Sequence, residues 1–123
     1  MSEAVFDSNI LIDALNDIGS AHAELKRYDR RYISRLTWVE VLTGALPDDG
    51  DRAEGFLFYF TIIEVNEEIG RRAALLRSDR KHLKTVDAII LASAQLSGRI
   101  LITRNTKDFP ATMPGIRIPY TLE

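Results

Sequence analysis

The sequence of 123 residues contains no cysteine and only two histidines, His22 and His82. The lack of cysteine excludes disulfide scaffolds, thiol catalysis and zinc sites built on thiolates. Two histidines are too few for a metal centre made of several imidazoles, and we expect His82 to be a surface residue. The chemistry to look for therefore lies in other side chains.

Strong charge of one sign and long apolar runs are also missing. Sixteen Lys and Arg against eighteen Asp and Glu leave a formal charge of −2, so no strong overall field attracts nucleic acid or a membrane surface. No apolar run approaches the ~18 residues of a membrane span. The start MSEAVFDSN lacks the basic and then apolar pattern of a secretory signal. We therefore expect a cytoplasmic protein without a membrane partner.

Residues 1–123 are predicted to form one domain in which short strands alternate with helices. The strand-like segments are 3–6, 32–34, 61–65, 100–103 and 115–119. The helical segments are 9–14, 21–27 with Ser20 as its cap, 37–45, 52–60, 67–79 and 87–96. This alternation favours an α/β, three-layer sandwich with a mostly parallel central sheet. In such sheets ligands bind at the carboxyl ends of the strands.

Four acidic residues occupy positions that such a sheet edge would bring together. Asp7 directly follows the first predicted strand, and Asp108 lies five residues beyond Thr103. Asp87 begins the most apolar helix, and Glu40 interrupts the apolar run WVEVL. Burying unpaired carboxylates is costly, and their repulsion drives their pKa values apart. A hard divalent cation, Mg²⁺ or Mn²⁺, would resolve this conflict.

Each of these residues also has a purely structural explanation. Asp7 can cap a helix, and Asp87 can interact with a helix dipole. Glu40 can lie on a solvated helix face, and Asp108 can stabilise a turn. Their joint placement favours the metal site.

The chain resembles a PIN-domain ribonuclease, specifically a VapC-like toxin of a type II toxin–antitoxin system. The resemblance extends over nearly the whole chain and rests on four motifs in order. They are VFDSN at 5–9, TWVEV at 37–41, KTVDAIILA at 84–92 and TRNTKDF at 103–109. The ordered set is more specific than any single motif.

This resemblance implies a PIN-like fold and an endoribonuclease that hydrolyses RNA phosphodiester bonds with one or two Mg²⁺ or Mn²⁺ ions. It assigns the catalytic and metal-binding carboxylates to Asp7, Glu40, Asp87 and Asp108. Supporting polar roles fall on Asn9, Thr103 and Asn105. One departure is Val86, because relatives often have proline before the third acidic residue; proline would fix the helix start.

A local concentration of positive charge lies upstream of Asp87. Residues 71–84 (RRAALLRSDRKHLK) contain six Arg or Lys and one Asp. We interpret this run as a rim that contacts the RNA backbone, although such runs are usually solvated helix faces. The predicted RNA-binding residues are Arg71, Arg72, Arg77, Arg80, Lys81, Lys84 and Arg104.

The resemblance also implies two protein partners, a cognate antitoxin and a second copy of the chain in a homodimer. The aromatic segment 56–60 (FLFYF) contains more apolar side chains than one helix face can bury. Part of it could line an antitoxin groove or the dimer contact. The alternative is that it packs entirely in the core.

Two other functions are compatible with parts of the pattern. A haloacid-dehalogenase-like phosphatase also begins with a strand and Asp, but it requires Asp-x-Asp, and here the third position is Asn9. A catalytically idle PIN-like domain that only binds a partner is disfavoured because all four carboxylates are present. Cleavage of RNA that depends on metal would distinguish the ribonuclease from both.

Overall fold

Five parallel strands form the centre of the molecule, and helices cover both faces. The computed structural model describes residues 2–122. Its strands are β1 (Glu3–Phe6), β2 (Arg30–Ser34), β3 (Thr61–Ile63), β4 (Ile100–Ile102) and β5 (Ile116–Arg117). Its helices are α1 (Ser8–Leu15), α2 (Gly19–Lys26), α3 (Arg35–Ala45), α4 (Gly50–Leu57), α5 (Glu67–Asp79) and α6 (Thr85–Leu96).

The strand order is β3-β2-β1-β4-β5, and every pairing is parallel. The predicted α/β sandwich with a parallel sheet is therefore confirmed. From β1 the chain builds the sheet to one side through β2 and β3, and later returns to the other side with β4. The carboxyl ends of β1 and β4 thus flank a topological switch point, where ligands of open α/β sheets bind.

Alternating strand residues divide the core into two layers. Phe6 and Ile102 pack with residues of α1 to α4, whereas Val5 and Leu101 pack with residues of α5 and α6. This division follows from the two-residue period of a strand, which sends successive side chains to opposite faces. Both faces of the central strands are therefore apolar and covered.

Three helices begin after residues whose side chains cap them, and several predicted helix boundaries differ from those observed. Side chains of Asp7, Ser34 and Asn66 accept backbone N–H groups at the starts of α1, α3 and α5. The predicted Ser20 cap is wrong, because α2 begins one residue earlier, at Gly19, without a side-chain cap. Helix α4 ends at Leu57 rather than continuing to residue 60. Within residues 2–122, no helix has both the length and the apolar character required to cross a bilayer.

Strand β4 offers a matched test of the buried core. Ile102 is completely buried, whereas Ile100 on the same strand retains 36% exposure. We expect Ile102→Val to lower the free energy of unfolding by about 1 kcal/mol, because it leaves a small cavity. Ile100→Val should cost less than about 0.5 kcal/mol. Urea unfolding with unchanged m-values measures both effects. Equal losses of unfolding free energy for the two variants would contradict this difference in packing.

Candidate functional site

An open cleft of about 440 Å³ lies at the carboxyl edge of the sheet. Four acidic side chains line it, and we call Asp7, Glu40, Asp87 and Asp108 the acidic cluster. Each comes from a different part of the fold: the end of β1, helix α3, the first turn of α6 and the loop after β4. The structure thus brings together all four residues that the sequence singled out.

Asp7 is the most enclosed member of the acidic cluster, with 3% exposure. Its Oδ1 accepts the backbone N–H of Ser8 at 2.8 Å. Its Oδ2 accepts the Thr103 hydroxyl at 2.7 Å and the Asn9 amide at 3.3 Å. Asp7 therefore combines the predicted cap role with a position in the cleft, and the two explanations do not exclude each other.

The three predicted supporting residues form one connected network beneath the cleft. The Thr103 hydroxyl accepts from the Asn9 amide at 3.2 Å and from the backbone N–H of Asn105 at 3.0 Å. Because that hydroxyl also donates to Asp7, its orientation is determined on all sides. The network therefore holds the Asp7 carboxylate in one orientation.

Asn105 performs the corresponding task for Asp108. Its amide donates to Asp108 Oδ2 at 3.0 Å, and its carbonyl oxygen accepts the backbone N–H of Asp108 at 3.2 Å. This hydrogen bond from Asn105 lowers the pKa of Asp108, with further lowering from the nearby Lys84 and Lys107. Asn105 thus favours the charged form of the Asp108 carboxyl group.

Repulsion within the acidic cluster is concentrated on Asp87. Its pKa is raised from 3.8 to about 6, first by burial and then by the charges of Asp7, Asp108 and Glu40. Burial also raises the pKa of Asp7. The pKa of Glu40 is raised by burial and by the charge of Asp7, although Glu40 remains accessible at the mouth of the cleft. Negative charge in this cleft is therefore energetically costly.

No Lys or Arg of residues 2–122 forms an ion pair with the acidic cluster. Lys84 lines the cleft, and its positive charge helps to lower the pKa of Asp108. Among the described residues, no three acidic or histidine side chains form a group tight enough to hold an ion, although Asp87 and Asp108 are close enough to share a hydrogen bond.

The predicted RNA-binding residues fall into two groups. Four already have partners within the protein: Arg71 pairs with Glu67, Arg72 donates to Gln95, Arg77 to the Leu83 carbonyl and Arg104 to Asp13. Arg80, Lys81 and Lys84 are exposed in the segment that leads into α6. Only the second group combines exposure with proximity in the chain to the cleft.

Sequence reasoning missed the partner of Arg104. Asp13 lies in α1, is only 5% exposed and receives both the Arg104 guanidinium and the Tyr120 hydroxyl. A signal was present in the sequence, because a charged residue inside the apolar run NILIDAL needs a buried partner. The identity of that partner could not be read from spacing alone.

The PIN domain family model matches residues 4–112. This chain belongs to the PIN domain family. The predicted resemblance to VapC-like toxins is confirmed with it, since a chain of a solved toxin–antitoxin complex is 44% identical to this PIN domain. A comparison with curated proteins gives no significant match.

Three solved structures illustrate the similarity. A chain of a toxin–antitoxin complex from Klebsiella pneumoniae has 44% identity and a TM-score of 0.91, with 97% of this chain and 99% of that chain covered. FitAcB from Neisseria gonorrhoeae has 23% identity and a TM-score of 0.79, with coverages of 97% and 99%. DNA-bound VapBC from Salmonella typhimurium has 22% identity and a TM-score of 0.76, with coverages of 95% and 96%. The latter two support the fold alone.

The crowding around Asp87 predicts that neutralising it stabilises the metal-free protein. With EDTA present at about pH 7.5, Asp87→Asn should raise the free energy of unfolding by about 1 kcal/mol, after allowance for solvent screening. Between pH 3.8 and about 6 the folded state binds more protons at Asp87 than the unfolded state. The stability contribution of Asp87 therefore falls as pH rises through this window, and the advantage of Asn shrinks as pH is lowered through it.

Urea unfolding at several pH values measures this effect. The matched control is Asp51→Asn, which changes an exposed carboxylate in the first turn of α4. If Asp87→Asn were no more stabilising than Asp51→Asn above pH 6, the acidic cluster would not be under electrostatic strain.

Proposed function

We propose that this PIN domain, residues 1–123, is a metal-dependent endoribonuclease that acts as the toxin of a toxin–antitoxin pair. The observation that carries the proposal is the convergence of Asp7, Glu40, Asp87 and Asp108 on one cleft at the switch point of the sheet. All four motifs that suggested this family from sequence contribute to that cleft. The complex from Klebsiella pneumoniae supports the assignment to a toxin because one of its chains is 44% identical over nearly its full length.

The hydrogen-bond partners of the buried carboxylates support a cation at this site. Four acidic side chains of residues 2–122 are buried: Asp7, Asp13, Glu24 and Asp108. Asp13 and Glu24 each bind an arginine through two hydrogen bonds, whereas Asp7 has only uncharged donors. Buried carboxylates require compensation, and an oxygen-only ligand set suits Mg²⁺ or Mn²⁺. The residues present therefore fit such an ion.

Asp7, Glu40 and Asp87 would hold the principal ion, and Asp108 would complete its environment or that of a second. When bound, the ion supplies Lewis-acid activation of water and neutralises charge on the phosphate. Thr103 and Asn9 keep Asp7 oriented toward the cleft, and Asn105 does so for Asp108. Such outer hydrogen bonds commonly affect metal affinity strongly.

The path of the RNA backbone is proposed to run past the start of α6. Lys84 lines the cleft, and Arg80 and Lys81 are exposed just before it in the chain. An acidic cleft without a cation repels phosphate, so these positive side chains and the ion would act together. Arg71, Arg72 and Arg77 contribute less in this arrangement, because they lie farther from the cleft along the chain and each already donates a hydrogen bond to another residue.

The two alternative functions are less well supported. A haloacid-dehalogenase-like phosphatase needs a second Asp at the position of Asn9. Here the Asn9 amide donates hydrogen bonds to Asp7 and Thr103, so it supports the one carboxylate that is present. The match to the PIN family also removes the reason to invoke a haloacid-dehalogenase-like fold. A catalytically idle domain does not explain why four carboxylates lie together at a cost in stability, which is typical of functional sites.

We expect purified protein to cleave RNA only when Mg²⁺ or Mn²⁺ is present. Asp7→Asn and Asp87→Asn should each lower the cleavage rate by more than about a hundred-fold, because they remove ligand charge from the acidic cluster. Gel assays on tRNA and total RNA, with metal and then with EDTA, measure this loss. Mapping of RNA 5′ ends after expression of wild type and Asp7→Asn identifies the bonds that are cut.

Asp51→Asn serves as the matched control and should retain wild-type cleavage. Cleavage that survives EDTA and both cluster substitutions would come from a contaminant, and the proposal would then fail. Hydrolysis of small phosphoesters without RNA cleavage would instead favour the phosphatase.

We further propose a cognate antitoxin and a second copy of the chain as partners. Phe58 and Tyr59 are 86% and 73% exposed, so the segment 56–60 does not pack entirely in the core. Phe58 also lines an apolar groove with Trp38 and Ile62. Exposed aromatic surface of this kind is typical of a protein contact, and we assign it to the antitoxin.

Phe58→Ser should weaken capture of the co-expressed antitoxin about ten-fold or more, because it removes a large apolar side chain from the contact. RNA cleavage by the free toxin should be unchanged. Leu75→Ser, at an exposed position of α5, is the matched control. If Phe58→Ser abolishes self-association while antitoxin capture stays intact, the surface belongs to the homodimer instead.

A further inference from the structure

Arg104 is held at two points by one face of helix α1. Its backbone N–H donates to Asn9 Oδ1 at 3.0 Å, and its Nη2 donates to Asp13 Oδ1 at 3.0 Å. Its Nε donates to the other oxygen of Asp13. Asn9 and Asp13 are four residues apart, which places them on the same face of the helix. Arg104 therefore has little freedom to shift relative to α1.

Tyr120 completes this arrangement from the opposite end of the chain. Its hydroxyl donates to Asp13 Oδ2 at 2.7 Å, across 107 residues of sequence. Asp13 is 5% exposed, so the bidentate guanidinium and the phenol together satisfy a carboxylate that water hardly reaches. We call Asp13, Arg104 and Tyr120 the clasp.

The clasp acts on the segment that carries the supporting residues of the acidic cluster. Thr103 and Asn105 lie on either side of Arg104, and they donate hydrogen bonds to Asp7 and Asp108 respectively. A displacement of Arg104 by a fraction of an ångström would move both donors. The same displacement would release Asn9, which donates to Asp7 and accepts from Arg104.

We propose that Arg104 is a positioning residue, and that the clasp sets the geometry of the acidic cluster from outside it. This inference rests on the proposed metal-dependent function. It reassigns Arg104, which the charge pattern had grouped with the RNA contacts. It also makes Tyr120, in the segment after β5, part of the support of the site.

The fold contains a second triad of the same chemistry, and its tyrosine, Tyr28, serves as an internal control. Arg117 donates to both carboxylate oxygens of Glu24, at 2.7 and 3.1 Å, and the Tyr28 hydroxyl donates to Glu24 at 3.1 Å. Glu24 is 4% exposed, much like Asp13. Among the described residues, the side chains of Glu24 and Tyr28 make no hydrogen bond to the acidic cluster.

The test compares Arg104→Lys, Tyr120→Phe and Tyr28→Phe with the wild type. Binding of Mn²⁺ is measured directly from the electron paramagnetic resonance signal of the free ion, and thermal unfolding is followed in EDTA. Arg104→Lys keeps the positive charge but loses the bidentate geometry. We expect it to weaken Mn²⁺ binding about ten-fold, with a smaller loss for Tyr120→Phe.

Tyr28→Phe should lower the melting temperature about as much as Tyr120→Phe while leaving Mn²⁺ affinity unchanged. A purely structural clasp would instead lower the melting temperature of all three variants and the Mn²⁺ affinity of none, which would overturn the inference. A change in RNA affinity alone for Arg104→Lys would overturn it as well. Wild-type protein that binds no Mn²⁺ would overturn the proposed function and this inference with it.

Discussion

The hydrogen bond from the Thr103 hydroxyl to Asp7 joins the ends of two neighbouring strands that are 96 residues apart in the chain. Asp7 ends β1 and caps α1, while Thr103 ends β4 and is completely buried. Because β1 and β4 are adjacent and parallel, both side chains emerge at the same edge of the sheet. The same hydrogen bond therefore links the ends of two core strands and orients the Asp7 carboxylate at the cleft.

Burial and mutual repulsion make the charges of the acidic cluster unfavourable to folding. Buried carboxylates elsewhere in the fold have charged partners. Asp13 and Glu24 are buried with a bidentate arginine and a tyrosine each. Asp7 is as deeply buried but has no charged partner among the described residues. This difference is the basis of our proposal that the local charge serves function rather than folding.

Much of the fold was predictable because its signals are local. Apolar composition alone was enough to predict strands β1 and β4 and helix α6. The start of α2 was not predictable in the same way, since Ile18 occupies its N-cap position and no side chain caps the helix. The basic run has a related limit: charge along a chain does not reveal which side chains, such as Arg72 and Arg77, have partners within the protein.

By itself, the sequence determined the kinds of chemistry available and the edge of the sheet where they would occur. Residue types and motif order are enough for this, because a carboxylate that directly follows a parallel strand must lie at its carboxyl end. Only the tertiary structure decided that β1 is adjacent to β4, that Arg104 turns inward to Asp13, and that Tyr120 reaches the same carboxylate. These contacts join residues about a hundred positions apart, and such pairings are settled by the packing of the whole chain rather than by any local pattern.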